Sequence, residues 1–232
     1  MHGTDGGRLS PPLKGFRAEV HEPVGDAEVV VVGGGIVGVS VAYFLAEKGI
    51  SVALVEKGRI GGEQSGRNLG WCRSSGRDEA ETPLALLSLN LWDDLSRTLK
   101  DDTGFRCCGR LQLCETAADL AEADLKAEEA RRRGIRMTRL APSEIGAFLP
   151  DATRKWAGAY HVPDDGRAEP ELAAPAIASA AQAAGARIYT DCAARGVDIS
   201  EGRVTGVVTE RGRIACSKVV GRAMKARMPP AM

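Results

Sequence analysis

The clearest hydrophobic pattern of the chain lies between residues 28 and 56. Residues 28–32 form a β-branched run that is typical of a fully buried parallel strand. Small and apolar residues recur at helical spacing over residues 36–48, and Gly49 is placed to end that helix. Residues 51–55 form a second apolar run. Together these segments predict a strand–helix–strand unit of about thirty residues.

The pattern after this unit is longer and more mixed. A polar, glycine-rich stretch over residues 57–77 is long for a connection, and such loops are usually functional. Helical periodicity predicts helices over residues 82–100, 117–133 and 169–184, and a short helix that starts at Pro142. Alternating or β-branched runs predict a strand end and turn over residues 160–166, and strands over residues 187–189, 204–209 and 214–220. The order of elements predicts an α/β fold.

The turn between the first strand and its helix carries a glycine motif, Gly33-Gly34-Gly35-Ile36-Val37-Gly38. Gly33 allows the sharp turn, Gly35 lets the backbone approach a diphosphate, and Gly38 permits close helix–strand packing. The N–H groups at the start of the helix, at Ile36 and Val37, lie at its positive end, which favours an anion. The motif therefore predicts dinucleotide binding.

An acidic residue, Glu56, ends the second strand, 23 positions after Gly33. Its carboxylate is placed to accept hydrogen bonds from ribose hydroxyls, and it would repel a 2′-phosphate. The loop that follows, residues 61–73, is rich in small and hydrogen-bonding residues. A loop of this length suits an extended ribityl chain and a flavin ring, so FAD is predicted in preference to NAD.

Composition and charge narrow the class of protein. Of the 232 residues, 44% are hydrophobic, and 31 basic residues balance 31 acidic ones, which argues against a general attraction to nucleic acid or to anionic membranes. The six cysteines form no metal-binding pattern, which is typical of an intracellular protein with reduced thiols. Neither a signal peptide nor a membrane span is predicted, nor a metal site, and a cytoplasmic enzyme is expected.

Two segments resemble the D-amino-acid-oxidase-like flavoproteins, which include sarcosine oxidase, glycine oxidase and the D-amino-acid dehydrogenases. They are VVVGGGIVGVSVAYFLAEKGISVALVEKG and GEQSGRNLGWCR. The resemblance implies a Rossmann-like FAD-binding domain with an inserted, incomplete α+β substrate domain. The implied organisation is a flexible leader over residues 1–25, a first part of the FAD-binding domain over 26–78, the start of the insertion over 79–163, the return of the FAD-binding domain over 164–220, and an atypical tail over 221–232.

The same resemblance implies the residues that hold the cofactor. The implied cofactor-binding set is Gly33, Gly35, Ile36, Val37, Gly38, Glu56, Lys57, Ser65, Arg67, Asn68, Gly70 and Ala194. Glu56 would take the adenosine ribose and Lys57 would lie on the adenine side. Three of these positions also have an alternative interpretation: Arg67 as a solvated surface arginine, Asn68 as a turn-satisfying residue, and Ala194 as ordinary strand packing. No catalytic side chain is assigned.

The implied function is oxidation of an amine or amino acid, of the D-amino acid or N-methyl amino acid type, by hydride transfer to the flavin. The family likeness ends near Val220, where a small-residue turn is expected and a basic, proline-ended segment follows. This predicts a C-terminally truncated relative. Two alternatives stay open: an impaired nucleotide-binding fragment or subunit that needs a partner chain, and an NAD-dependent dehydrogenase. A partner subunit or a separate electron acceptor is therefore an expected partner, beside the amine substrate.

Overall fold

The computed structural model describes residues 25–221, which form two compact units. The first unit comprises residues 25–67 and 174–221, and the second comprises residues 68–173. The predicted leader and tail lie outside the described residues, apart from Gly25 and Gly221. The domain limits derived from the resemblance stay predictions.

The described residues contain twelve strands, four α-helices and three short 3-10 helices. The strands are β1 Val29–Val32, β2 Val52–Val55, β3 Trp71–Cys72, β4 Arg110–Cys114, β5 Thr138–Leu140, β6 Gly158–Val162, β7 Gly166–Arg167, β8 Arg187–Tyr189, β9 Ala194–Ser200, β10 Arg203–Thr209, β11 Gly212–Ala215 and β12 Lys218–Gly221. The helices are α1 Ile36–Ala46, α2 Thr82–Thr98, α3 Ala117–Arg132 and α4 Pro170–Ala183. The 3-10 helices are Gln64–Gly66, Glu79–Glu81 and Pro142–Ala147.

The first unit is built on a parallel sheet of order β12-β1-β2-β8. An antiparallel sheet of order β11-β10-β9 packs on one face of it, because Val30, Ala53 and Val55 share a buried cluster with Val207 and Ile214. The other face of the parallel sheet receives α1, whose Val39, Ala42 and Ala46 are buried. The result is three layers: helix, parallel sheet and antiparallel sheet.

The second unit has its own core. Its main sheet is antiparallel, of order β4-β6-β5, and α3 packs against β4 and β6. The buried face of α3 consists of Leu120 and three alanines at helical spacing, Ala123, Ala127 and Ala130, which let the helix approach the sheet closely. A capping box between Thr116 and Asp119 starts this helix. The strands β3 and β7 pair separately.

The prediction of a single strand over residues 214–220 was wrong. The run over residues 214–220 reads as a single strand, but the structure divides it into β11 and β12. Ile214 lies in β11 and pairs antiparallel with β10, whereas Val219 and Val220 in β12 pair parallel with β1. A β-branched run has the same periodicity whichever sheet it joins, so its pattern does not reveal the change of partner.

The antiparallel strands β3, β4, β5 and β9 were not predicted. The charged residues Arg195 and Asp198 in β9 hide its strand character, and both form exposed ion pairs with neighbouring segments, to Glu210 and Arg213. None of the helices in the part of the chain that the structure describes is long and apolar enough to cross a membrane.

Candidate functional site

A cleft of about 440 Å³ opens at the carboxyl ends of β1 and β12 in the first unit. Strand β1 has β2 on one side and β12 on the other. The order in which the strands are added to the sheet therefore reverses at β1. Ligands of open α/β sheets bind at such a switch point, and the volume is ordinary for a ligand-binding cleft. The lining residues are Val31, Val32, Gly33, Gly34, Gly35, Ile36, Val37, Gly38, Val41, Glu56, Gly62, Glu63, Gln64, Ser65, Val220 and Gly221.

The glycine turn at the floor of this cleft is tightly built. Gly33 has a φ of +108°, which L side chains rarely adopt, and its N–H donates to the Val55 carbonyl at 2.8 Å. At Gly38, a Cβ would lie 1.9 Å from the Gly33 carbonyl oxygen and 3.5 Å from Val31 Cγ1. The helix therefore approaches the turn more closely than any side chain at position 38 would allow, whereas the 3.5 Å distance to Val31 is an ordinary van der Waals contact.

Ser65 caps the start of α1. The residue at the N-cap of this helix, Gly35, has no side chain to accept an N–H, but Ser65 Oγ accepts the Ile36 N–H at 2.9 Å. A Cβ on Gly35 would lie 3.0 Å from the same hydroxyl oxygen. The N–H groups of Val37 and Gly38 follow in the first turn, where a helix offers no intrahelical acceptor. This end of α1 is therefore suited to an anion.

The carboxylate of Glu56 is buried beside the turn, with 9% of the residue exposed. Its Oε2 accepts the Gly34 N–H at 2.7 Å and its Oε1 accepts the Gly58 N–H at 2.8 Å. An ionised carboxylate has about four acceptor sites, so two hydroxyl donors of a ribose still find a place on it. Glu56 thus connects the glycine turn, the following loop and the cleft.

Exposed charges lie along the loop that follows Glu56. Lys57 Nζ lies 3.0 Å from Glu63 Oε1, and Arg67 Nη1 lies 3.9 Å from Glu63 Oε2. The hydrogen bond to Lys57 lowers the pKa of the Glu63 carboxyl, and the same bond raises the pKa of Lys57. Arg67 also donates to the Gly62 carbonyl at 3.3 Å. Such exposed pairs add little stability. Glu63 lines the cleft, whereas Lys57 and Arg67 do not, so cofactor contacts from these two residues stay predictions.

Asn68 and Gly70 belong to the second unit. Asn68 Oδ1 accepts the Gly70 N–H at 2.7 Å, which is the turn-satisfying contact of the alternative interpretation. Gly70 has a φ of +69°, and a Cβ there would lie 2.0 Å from the Ala168 carbonyl oxygen. A glycine at position 70 is therefore required by backbone packing in the second unit itself. Flavin contacts from these two residues stay predictions.

The three residues after Gly70 form a mixed surface in the second unit. The Trp71 ring is exposed, and the Arg73 guanidinium carbon lies 5.8 Å from its centroid, within cation–π range. Burial raises the pKa of the Cys72 thiol to about 11, so this thiol is protonated at neutral pH. Arg73 is the positively charged residue on this surface. The Cys72 thiol is not activated as a nucleophile, because it is not ionised.

Ala194 lies at the start of β9, opposite Thr209 of β10. It is partly buried and packs against the core cluster between the two sheets of the first unit. It does not line the cleft described above. This position agrees with the strand-packing interpretation, and a contact with adenine stays a prediction.

Two features of the cleft were missed by sequence reasoning. Val220 and Gly221 form one wall of it, and their position depends on the pairing of β12 with β1, which no local pattern reveals. The capping of α1 by Ser65 bridges 29 positions of the sequence. A lone serine in a polar loop carries no signal that it caps a distant helix.

The family comparison covers most of the chain. Residues 28–221 match the family described as FAD dependent oxidoreductase. The sequence is 31% identical over 208 residues to 4-methylaminobutanoate oxidase (formaldehyde-forming) of Paenarthrobacter nicotinovorans, covering 88% of this chain and 25% of that protein. It is 33% identical over 206 residues to sarcosine oxidase subunit beta of an Arthrobacter species, covering 85% of this chain and 51% of that subunit.

Comparison with solved structures shows that the fold of this chain is similar to that of known amino acid deaminases and dehydrogenases. L-amino acid deaminase from Proteus myxofaciens superposes with a TM-score of 0.86 at 30% identity, covering 92% of this chain and 49% of that chain. L-proline dehydrogenase from P. horikoshii superposes with a TM-score of 0.79 at 30% identity, covering 85% of this chain and 53% of that chain. The chain therefore spans about half, or less, of the length of these relatives.

These comparisons agree with the predicted α/β class and with FAD as the cofactor of the family, and they give no support to the NAD-dependent alternative. The cleft fits the adenosine diphosphate half of FAD, because a side-chain-free cradle at Gly35 lies beside a helix N-terminus and the Glu56 carboxylate. This chain belongs to the FAD dependent oxidoreductase family.

Proposed function

We propose that this chain binds FAD through the cleft of the first unit and serves the oxidation of an amine or amino acid. The observation that carries the proposal is the cleft at the β1–β12 switch point, with the first turn of α1 at its floor and the buried Glu56 carboxylate beside it. A flavin supplies the hydride acceptor for such a reaction. The protein's task is to bind it, orient it and exclude water.

The site residues take separate tasks in this proposal. Gly33, Gly35 and Gly38 form the turn around the diphosphate, and the Val37 N–H in the first turn of α1 donates to it. Ile36 contributes as part of the same turn, since its own N–H is accepted by Ser65 Oγ. Glu56 accepts the adenosine ribose hydroxyls. The remaining proposed contacts are Lys57, Ser65, Arg67, Asn68, Gly70 and Ala194. Among these, Ser65 has the strongest support, because it lines the cleft and bonds the first turn of α1.

For the substrate we favour an N-methyl amino acid. Two relatives support this choice by name, 4-methylaminobutanoate oxidase and sarcosine oxidase subunit beta. The hydride on the carbon beside the amine nitrogen would pass to the bound flavin, and water would hydrolyse the resulting imine to an amine and a carbonyl compound. Oxygen or another electron acceptor would then reoxidise the reduced flavin. Arg73 is our candidate for the substrate carboxylate, because a guanidinium binds a carboxylate through two parallel hydrogen bonds. No side chain is assigned as a general base.

A partner polypeptide also belongs to the proposal. Sarcosine oxidase subunit beta is by its name one subunit of an enzyme. Helix α1 is apolar on nearly all sides, yet Phe44, which does not line the cleft, is 36% exposed, and helices of this kind are normally covered on both faces. A stoichiometric second polypeptide on the purified protein, seen by native mass spectrometry and lost in a Phe44→Glu variant, is the expected result. A wild-type protein that is pure and binds FAD without one would refute it.

We place this protein in a reducing compartment, the cytoplasm. All six of its cysteines lie within the described residues, and all six are free thiols. Free exposed thiols such as Cys107 and Cys108 persist where glutathione and thioredoxin keep proteins reduced. Localisation of a fluorescent fusion would test this placement.

The proposed function is tested by a Gly35→Val variant. The backbone at Gly35, with φ −76° and ψ 175°, accepts any residue, and the added Cβ would meet only Ser65 Oγ at 3.0 Å. The fold should survive with a loss of about 1–3 kcal/mol in unfolding free energy, because the new side chain replaces glycine at the N-cap of α1 and crowds the Ser65 hydroxyl that caps this helix. The branched side chain meanwhile fills the diphosphate cradle. We expect FAD affinity to fall at least about tenfold, measured by flavin absorbance and fluorescence after reconstitution.

Wild-type protein should take up FAD, and its visible spectrum should bleach with an N-methyl amino acid in the absence of oxygen. Unchanged FAD uptake by folded Gly35→Val protein would contradict the assignment of the diphosphate to the turn at Gly35. A wild-type protein that retains no FAD after incubation with excess FAD and removal of the unbound cofactor would contradict the proposal as a whole.

A further inference from the structure

Glu56 accepts two backbone hydrogen bonds that are not needed for accepting hydrogen bonds from ribose hydroxyls. Each carboxylate oxygen accepts one backbone N–H, from Gly34 at 2.7 Å and from Gly58 at 2.8 Å. Bonds between an ionised acceptor and backbone N–H groups are the strong ones, and the burial of this residue shields them from water. The carboxylate thus links the glycine turn to the loop after β2.

Gly34 is held from three directions. Its N–H donates to Glu56 Oε2, and its carbonyl accepts the Gly61 N–H at 2.9 Å. A Cβ on Gly34 would lie 2.5 Å from Ile60 Cδ1 and 3.0 Å from Glu56 Cβ and Cγ. The backbone at this position is therefore clamped between the side chain of Glu56 and the loop that carries Ile60 and Gly61.

The clamp sets the direction of the next amide. In a trans peptide the N–H points opposite to the carbonyl of the preceding residue. The Gly34 carbonyl is directed at the Gly61 N–H, so the Gly35 N–H is directed away from Gly61. With the Gly34 N–H directed at Glu56, both peptide planes that flank Gly34 are fixed. The direction of the Gly35 N–H in the diphosphate turn is therefore set by these contacts of Gly34.

We propose that Glu56 is a positioning residue for the diphosphate turn, acting through Gly34, in addition to any contact with ribose. The proposal rests on the proposed function, because it concerns the same cleft. It makes a prediction that a ribose role alone does not make. Binding of inorganic pyrophosphate, which has no ribose, should depend on Glu56.

The test compares Glu56→Gln with Glu63→Gln. Both residues line the cleft, and both variants remove one negative charge from it, so electrostatic repulsion alone predicts tighter pyrophosphate binding in both. Glutamine has a single carbonyl acceptor, so its NH₂ group would face one of the two N–H donors now bound by Glu56. Glu63 contacts Lys57 and Arg67 rather than the turn, which makes it the matched control.

We expect Glu56→Gln to weaken pyrophosphate at least about fivefold, since a charge-assisted bond is lost and one N–H is left without an acceptor. Glu63→Gln should bind pyrophosphate as tightly as the wild type or more tightly. Isothermal calorimetry with inorganic pyrophosphate and with ADP, at constant ionic strength, measures both. Glu56→Gln protein that loses ADP affinity but keeps pyrophosphate affinity would reduce Glu56 to a ribose acceptor and overturn the proposal.

Wild-type protein that binds neither pyrophosphate nor ADP would instead contradict the proposed function. A second measurement does not depend on the folding of a variant. Amide hydrogen exchange of the wild-type protein should show Gly34 and Gly58 protected, because both N–H groups are bound by the buried carboxylate. Fast exchange of both amides in the folded, ligand-free protein would overturn the proposal.

Discussion

A Gly38→Ala variant is expected to lose nucleotide binding and to be destabilised by about 3 kcal/mol or more. The added Cβ would lie 1.9 Å from the Gly33 carbonyl oxygen, which is backbone and has little freedom to move. Helix α1 would have to shift away from the turn. Such a shift displaces the first-turn N–H groups and opens the Ser65 contact. Urea unfolding and calorimetry with ADP measure the two effects.

Gly196→Ala is the control for this prediction. Gly196 lies in β9 of the same unit, its φ is not in the left-handed region, and no neighbouring atom lies within 4 Å of a Cβ built there. Its stability should stay within about 1 kcal/mol of the wild type, since alanine is no worse than glycine in a strand. Equal urea midpoints for the two variants, with ADP bound by both, would show that α1 does not need the close approach seen at Gly38.

An Asp165→Asn variant should destabilise the second unit by about 3–5 kcal/mol, because it breaks a buried ion pair and leaves its partner charge uncompensated. Asp165 is 1% exposed. Its Oδ1 accepts the Ser74 N–H and hydroxyl, each at 2.7 Å, and its Oδ2 accepts Arg110 Nε at 3.0 Å and the Ser75 hydroxyl at 3.4 Å. An asparagine of the same shape would direct an NH₂ group at these donors.

The neighbouring aspartate offers the comparison. Asp164 is more exposed, and it bonds the exposed guanidinium of Arg136. Asp164→Asn removes the same charge from the next position, and exposed pairs contribute about 1 kcal/mol or less. Circular dichroism with urea should therefore show a large loss for Asp165→Asn and a small one for Asp164→Asn. Similar losses of unfolding free energy in the two variants would mean that the buried Asp165 carboxylate is not what holds the Ser74–Ser75 segment in place.

The variants at Gly35, Gly38 and Asp165 separate binding from folding. Gly35→Val fills the cradle without a backbone clash, so it should affect the ligand more than the fold. Gly38→Ala should affect both, because the clash is with the turn itself. Asp165→Asn acts within the second unit and leaves the glycine turn intact. Loss of FAD binding by folded Gly35→Val protein, with FAD binding retained by Asp165→Asn protein, would assign the diphosphate directly to the turn.

Local pattern was enough to predict the first strand–helix–strand unit and the glycine turn. The observed β1, α1 and β2 lie within the predicted segments, because a buried parallel strand and a packed helix each leave a periodic signature over a few residues. The acid at the end of β2 was predicted as well, and Glu56 is indeed beside the cleft. FAD was predicted from the loop over residues 61–73, the family resemblance was carried by this loop together with the first unit of the pattern, and both were confirmed by the comparisons.

Other elements escaped prediction because their signal is not local. The run over residues 214–220 was taken as one strand, yet β11 and β12 belong to different sheets. Asp165 stands in a turn whose polar composition is unremarkable, and its burial depends on Ser74 and Arg110, which are far away along the chain. Each of these features requires contacts between segments that periodicity treats independently.

By itself, then, the sequence determined the turn, the helix behind it and the class of ligand, since glycine positions and a β-branched run act within a few residues. Only the tertiary structure decided that β12 lies beside β1 and walls the cleft, that Ser65 caps α1, and that Glu56 holds Gly34. The physical reason is the range of the interactions. Strand pairing and buried hydrogen bonds join residues distant in sequence, and their partners are chosen by the packing of the whole unit.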